Sequence, residues 1–279
     1  MNSSFTTAEY FRPAGLGNKL FPWARAKLLS RSHDISMLRQ IWFSPRGAGF
    51  IRGGIDYSRV LGKLFLLNNF IDDENEMSII KFKINYANHI KRISIHDLDA
   101  IQPYLNLDNI LIEFKWNSSH NFKDLIQYRE VIYDSLIKIT KPDIKKIPHI
   151  SEKFIGLNIR TGNDFISHNS LSQGYRKTSF KWFSDTLILI REKWGNLPIY
   201  VVSDGGYDQL KYFLQFDNLY LTSNKTAIED LFFLSHADVL IGSGNSSFLA
   251  WASFLGNKPT YVAADTNFSS FCLPNSICL

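Results

Sequence analysis

From Phe154 onward the chain alternates between two hydrophobic rhythms. Short apolar runs come first: FIGLNIR (Phe154 to Arg160), LPIYVVSD (Leu197 to Asp204), NLYLTS from Asn218, DVLIGS from Asp238 and PTYVAA from Pro259. Each ends in small or polar residues, as strands buried on both faces do. Between them, apolar residues recur every three or four positions, as on one face of a helix. These stretches are Phe180 to Trp194, Tyr207 to Phe216, Ile228 to His236 and Ser247 to Leu255. Strand and helix in alternation predict βαβ units, and so an open parallel sheet with helices on both faces.

The first half is less regular. Asn18 to Arg31 predicts a helix with Leu20, Phe21, Ala24, Leu28 and Leu29 on one side, and Phe122 to Ile139 predicts a second. KRISIH, just before Asp97, reads as a strand, and Arg46 to Gly54 as a glycine-rich loop. Lys141 to Lys153 holds two prolines and no apolar period, which predicts a linker. The expected division is an N-terminal α/β half over residues 1–145 and a C-terminal Rossmann-like half over residues 146–279.

Composition keeps both halves globular. Of 279 residues, 45% are hydrophobic and 20% charged, enough to bury a core and too apolar for a disordered chain. A net charge of +5 favours anionic partners such as nucleotide phosphates or anionic head groups. The excess is spread out, with no basic block dense enough for a nucleic-acid arm. Two cysteines, Cys272 and Cys278, cannot build a disulfide framework or a four-ligand zinc site, and are expected to be free thiols. The segment MNSSFTTAEYFRPAG has no basic stretch followed by an apolar run, and no run reaches the ~18–20 residues of a membrane span. The expectation is a cytoplasmic protein able to rest peripherally on an anionic inner-membrane surface.

Four polar clusters stand where strands end or helices begin. Gly15-Leu16-Gly17-Asn18 opens the first helix. Its glycines allow close backbone approach, and the helix N-terminus offers N–H groups to an anion; Asn18 would equally serve as an ordinary N-cap. Asn158-Ile159-Arg160-Thr161-Gly162-Asn163-Asp164 ends the first strand of the second half, where open α/β sheets bind ligands. Arg160 there can grip phosphate bidentately; its plainer alternative is an ion pair with Asp164. Ser203-Asp204-Gly205-Gly206 ends the next strand, so Asp204 can accept from a base or ribose, or cap the helix that follows. Gly242-Ser243-Gly244-Asn245-Ser246-Ser247-Phe248 joins a strand to a helix and suits phosphate, with Ser246 or Ser247 as the alternative N-cap.

Other chemistries find less support. Asp97-Leu98-Asp99 has the DxD spacing of Mn²⁺-dependent nucleotide-sugar transferases, a spacing common by chance. The acidic run Asp72, Asp73, Glu74 and Glu76 suits a solvated loop. No HExxH, GxSxG or Walker A pattern is present.

In order and together, the four clusters resemble the signatures of the fucosyltransferase superfamily, and within it glycosyltransferase family 11, the bacterial α1,2-fucosyltransferases. GLGNKLFPWARA (Gly15 to Ala26) is similar to that family's GGLGNQxFQYAxA, NIRTGNDF to its HxRxGDF, and VVSD to its FSD stretch. Ile228 to Pro259 is similar to its long C-terminal signature around NSSFSWW. Asn158 stands where the family has histidine, Lys19 where it has glutamine, and Leu249 and Ala250 replace Ser and Trp.

The resemblance implies an α/β fold of the GT-B glycosyltransferase type, two Rossmann-like halves with the donor cleft between them. Gly15, Gly17 and Asn18 would approach the donor, and Arg160 would hold the β-phosphate with Asn158 beside it. Asp204 would read the guanine, and Asn245, Ser246, Ser247 and Phe248 would close on the phosphates. Asp164 and His168, just beyond the arginine strand, are the candidates for a base. The implied reaction is inverting, metal-independent transfer of L-fucose from GDP-fucose to a hydroxyl of an oligosaccharide or lipid-linked glycan, in α1,2 linkage, for bacterial O-antigen or capsule. It implies no cofactor beyond the GDP-sugar. A transferase of another nucleotide-sugar, or a non-catalytic nucleotide-binding protein, would keep the same strand-end clusters.

Overall fold

The computed structural model describes residues 4–9, 15–33, 35–38, 82, 90–115, 121–140, 152–160, 165–166, 175–176, 178–205, 210–222 and 226–279. The chain forms two compact units. The first carries β1 (Phe5–Glu9), α1 (Leu16–His33), β2 (Ser36–Met37), β3 (Lys91–Ile95), β4 (Ile110–Lys115) and α2 (Arg129–Ile139). The second carries β5 (Ile155–Ile159), β6 (Phe165–Ile166), β7 (Tyr175–Arg176), α3 (Phe180–Trp194), β8 (Ile199–Ser203), β9 (Leu219–Leu221), α4 (Ala227–Ser235), β10 (Val239–Gly242), α5 (Ser247–Gly256), β11 (Thr260–Val262) and β12 (Ser276–Cys278). The sequence-based loop at Arg46 to Gly54, the acidic run at Asp72 to Glu76, and the linker from Lys141 up to Ser151 lie outside the described residues.

In the first unit a parallel sheet runs in the order β2-β1-β4-β3. β1 is buried along Phe5 to Ala8 although two of those residues are threonines. The Thr6 hydroxyl is reconciled to the core by donating to the Ile112 carbonyl at 3.3 Å. α1 is buried nearly all round, Lys19 and Arg25 included. Arg25 is matched by Asp124 in a two-pronged contact, Nε to Oδ2 at 2.7 Å and Nη2 to Oδ1 at 2.6 Å. That pair also shapes the next segment. Asp124 Oδ2 accepts the Leu98 N–H at 3.0 Å, so the chain from Phe122 turns to meet it. The helix expected from Phe122 therefore starts as a turn and a 3-10 segment (Ile126–Tyr128), and α2 begins only at Arg129.

In the second unit six parallel strands run in the order β12-β11-β10-β5-β8-β9. The five apolar runs all become strands, and α3 has its expected bounds. Ser179 caps α3 by accepting the Trp182 N–H at 3.1 Å, and Gly195 ends it at φ 80°. Of the helix expected over Tyr207 to Phe216, Leu210 is helical and Lys211–Gln215 forms a 3-10 turn, with 206–209 outside the described residues. Its buried side chain is Phe213, packed into the core beside Leu210.

Strand alternation gives the sheet two covered faces. Ile155, Leu157 and Ile159 of β5 join Val201, Val239 and Ile241 against Phe183, Leu187 and Ile190 of α3. The opposite face carries Asn158 and Gly242, and a Cβ on Gly242 would lie 2.5 Å from Leu249 of α5. Glycine at that position is what lets α5 pack so close to the sheet. The chain moves from β5 outward to β8 and β9, then crosses back to β10 on the other side of β5 and on to β11 and β12. The direction of winding therefore reverses between β5 and β10, and the carboxyl ends at such a reversal form the usual ligand crevice of an open α/β sheet. Among the described residues, no helix is long and apolar enough to cross a membrane.

Candidate functional site

Three strand ends meet at that reversal. Register pairs Ile159 of β5 with Ser203 of β8, and Asn158 of β5 with Gly242 of β10. The residues that follow therefore leave the sheet at one level. Arg160 and Asp204 do so side by side, with Nε 3.0 Å from Oδ2 and the two side chains 20% and 26% exposed. Two residues singled out from separate sequence clusters thus form one ion pair. Asp164, the partner considered from sequence, lies outside the described residues, as does His168; the β5–β8 register is what brings Asp204 beside Arg160.

Two serines fix the strand ends on either side. Ser203 Oγ donates to the Ile159 carbonyl at 2.7 Å and accepts the Gly205 N–H at 3.0 Å. Ser243 Oγ accepts the Arg160 N–H at 3.0 Å, while its own N–H donates to the Asn158 carbonyl at 2.9 Å. Both are buried. The hydroxyls replace the ladder bonds that end with the sheet, and so hold the backbone at Arg160 from both neighbours. The sequence reading named these serines only as parts of clusters. Their signal was a single hydroxyl residue directly ending each apolar run.

The turn between β10 and α5 is built for a tight fit. Asn245 sits at φ 59° and its Oδ1 accepts the Asn267 N–H at 2.7 Å. A Cβ on Gly244 would lie 2.2 Å from the Thr266 side chain, so only glycine fits. Of the two serines considered as N-cap, Ser246 takes the role, accepting the Leu249 N–H at 3.3 Å. It also donates to Asn158 Oδ1 at 3.4 Å, which ties β5 to the start of α5. Asn158 is 2% exposed, so its amide joins strand to helix from inside the core. Ser247 and Phe248 lie partly buried in the first turn of α5.

In the first unit, Gly15, Gly17 and Asn18 stand at the beginning of α1, which starts earlier than expected. The Lys19 N–H donates to the Gly15 carbonyl at 3.2 Å, so the helical ladder already begins at Gly15. Asn18 therefore lies inside the first turn and is not the N-cap. Pro22, within α1, has no N–H for the Asn18 carbonyl, which leaves that carbonyl outside the regular ladder. The DxD pair has a local explanation. Asp97 Oδ1 accepts the Ala100 N–H at 3.1 Å at the start of a 3-10 turn, Asp99–Tyr104. Among the described residues, no three His, Cys, Asp or Glu side chains gather as a metal site. Cys272 and Cys278 are free and exposed.

The second-unit arrangement combines a guanidinium, the N–H groups opening α5 and a carboxylate at one sheet end. Guanidinium and helix N-terminus both favour phosphate oxygens, and the carboxylate favours N–H or O–H donors.

No protein-family model matches the chain, and no curated protein matches it. Solved structures do. The chain is 13% identical to fucosyltransferase NodZ from Bradyrhizobium, over 93% of this chain and 94% of that one, with a TM-score of 0.51. A structure of NodZ α1,6-fucosyltransferase co-crystallised with GDP is 12% identical, over 95% of this chain and 96% of that one, with a TM-score of 0.52. The α/β fold described above is that of a GT-B-type glycosyltransferase, shared over nearly its whole length with fucosyltransferases of known structure.

Proposed function

We propose that the chain is a glycosyltransferase that moves L-fucose from GDP-fucose to a hydroxyl of an oligosaccharide or lipid-linked glycan. The observation that carries this reading is the Arg160–Asp204 pair at the winding reversal, beside the N-terminus of α5. The co-crystallisation of NodZ, a protein of similar fold, with GDP supports the choice of nucleotide. In the reaction the acceptor oxygen bonds to the anomeric carbon as the bond from that carbon to the diphosphate breaks. GDP leaves with the bonding pair, and the acceptor proton passes to a base, for which Asp164 is our candidate. Negative charge grows on the diphosphate, where Arg160 and the α5 N–H groups strengthen their hold. Already on donor binding, Arg160 turns to the diphosphate and frees the Asp204 carboxylate to accept from the guanine. Gly15, Gly17 and Asn18 are proposed to approach the donor, with Asn245, Ser246, Ser247 and Phe248 closing on the phosphates. The finer assignments are α1,2 linkage, inversion, a metal-independent reaction and a place in O-antigen or capsule synthesis at the cytoplasmic membrane surface.

Calorimetric titration with GDP, UDP and CDP tests the donor. GDP should bind tightest, with and without EDTA, and GDP-fucose should turn over with a suitable acceptor. No binding of GDP, or a preference for UDP, would remove the reading. Loss of activity in EDTA with recovery in Mn²⁺ would restore Asp97 and Asp99 as metal ligands.

A further inference from the structure

We infer that Ser203 and Ser243 are positioning residues for the Arg160–Asp204 pair, acting by gripping one peptide unit from two neighbouring strands. The unit is the one that joins Ile159 to Arg160. Its carbonyl accepts from Ser203 Oγ at 2.7 Å, and its N–H donates to Ser243 Oγ at 3.0 Å. Ser203 ends β8 and Ser243 follows β10, so the two hydroxyls close on the peptide from opposite sides of β5. Ser203 reaches the other partner of the pair as well. The same oxygen accepts the Gly205 N–H at 3.0 Å, which belongs to the peptide directly after Asp204. One hydroxyl thus bridges the peptide that precedes Arg160 and the peptide that follows Asp204.

That bridge fixes where the two side chains start. Strand pairing sets their separation only as far as Ile159 and Ser203, the last residues of β5 and β8 in register. Beyond them the ladder is over, and the hydroxyls take its place. A guanidinium lies ~6–7 Å from its own Cα, so tilting this peptide by ~10° carries it ~1 Å aside, a misplacement that can cost ~10²-fold in rate. Both serines are buried, at 3% and 1% exposure, so neither hydroxyl is a solvated surface group. A serine that served the fold alone would have the same effect with Arg160 or without it. A serine that acts through Arg160 has nothing left to position once that side chain is gone. That Arg160 works on the departing diphosphate is the transferase reading, on which this inference rests.

The test is a double-mutant cycle on the full chain, read by single-turnover transfer from GDP-fucose and by GDP calorimetry. Ser203→Ala and Ser243→Ala should each lower the rate ~10–10²-fold in the wild-type background, with a smaller loss of GDP affinity. In the Arg160→Ala background the same substitutions should change the residual rate less than ~2-fold, because the two effects are not independent. Equal fold-losses in both backgrounds, or folded serine variants with the wild-type rate, would overturn the inference. Where Ser203→Ala fails to fold, Ser243→Ala carries the same cycle, since it leaves the Ser203 bonds in place. Failure of the transferase reading looks different. A wild-type chain that binds GDP without transfer loses that reading, and the cycle is then decided by GDP affinity: a loss seen only while Arg160 is present keeps the serines as positioning residues, and an equal loss removes them. A chain that binds no GDP overturns both.

Discussion

Replacing Arg160 by alanine separates a structural ion pair from a functional one. In the folded protein Arg160 meets Asp204 at 3.0 Å, with 20% and 26% of the side chains exposed. Solvent screening limits such a pair to about 1 kcal/mol. In a domain-sized protein that corresponds to a fall in Tm of about 2–4 °C. A donor aimed at a departing diphosphate is worth more, because its bond strengthens as charge develops. Its loss costs ~3–4 kcal/mol, or ~10²–10³ in rate. Arg160→Ala should therefore melt only slightly earlier while kcat collapses and GDP affinity falls. Arg160→Lys keeps the charge and loses the planar fork, so it should recover only part of the rate. The assay is GDP titration and turnover of GDP-fucose on each purified variant, with circular dichroism and thermal melting as folding controls. A folded Arg160→Ala with near-normal turnover would refute the placement of Arg160 on the leaving group and leave its pairing with Asp204 a structural one.

Gly244→Ala should destabilise by about 1–3 kcal/mol and weaken GDP binding, because the new methyl collides with Thr266 Cβ as well as its tips; denaturant midpoints and GDP titration check both. Arg25→Ala strands Asp124 in a site only 6% exposed and should cost about 3–5 kcal/mol in urea unfolding, far more than any rim charge. Burial, then the neighbouring Tyr220 and Glu152, push the Tyr200 phenol above its ordinary 10.0. The unfolded chain then gives up that proton first as pH rises, so the contribution is whole below pH 10.0 and is lost above it; Tyr200→Phe should flatten the fall in urea midpoint across that range.

Legibility in the sequence followed the kind of signal each element carries. Five strands of the second unit are plain because each is a short, mostly apolar run ending in small or polar residues, whereas β6, β7 and β12, of two or three residues each, carry no such run. β1 is not, because FTTAE buries two threonines: the Thr6 hydroxyl is answered by a carbonyl on β4, and the Thr7 hydroxyl has no hydrogen-bond partner among the described residues. β4 itself carries an apolar run, ILIEFK, of the same kind as the strands of the second unit. Arg160, Asp204 and Ser246 were found one by one from their places at strand and helix ends. Their joining was not legible, since register between β5, β8 and β10 decides which side chains become neighbours. The start of α1 lies earlier than expected because Gly15 to Gly17 read as a loop, while burial of α1 on nearly every side extends the helix back over Gly17 to Leu16.

The insertion of β10 beside β5 has a consequence for how the protein is made. Ser243 lies 83 residues beyond Arg160, and Ser246 88 beyond Asn158, yet each pair shares a hydrogen bond. A chain that has left the ribosome only as far as β9 has β5 paired with β8, and its other edge bare. Such an edge invites pairing with a foreign strand until β10 arrives. Long-range pairing of this kind is slow relative to local helix formation. Because the crevice is closed only once β10 pairs with β5, a ligand of the crevice binds only molecules that have made that pairing and draws the equilibrium toward them by mass action. GDP in a refolding or expression mixture should then act as a folding aid, raising the yield of active protein without touching any earlier step.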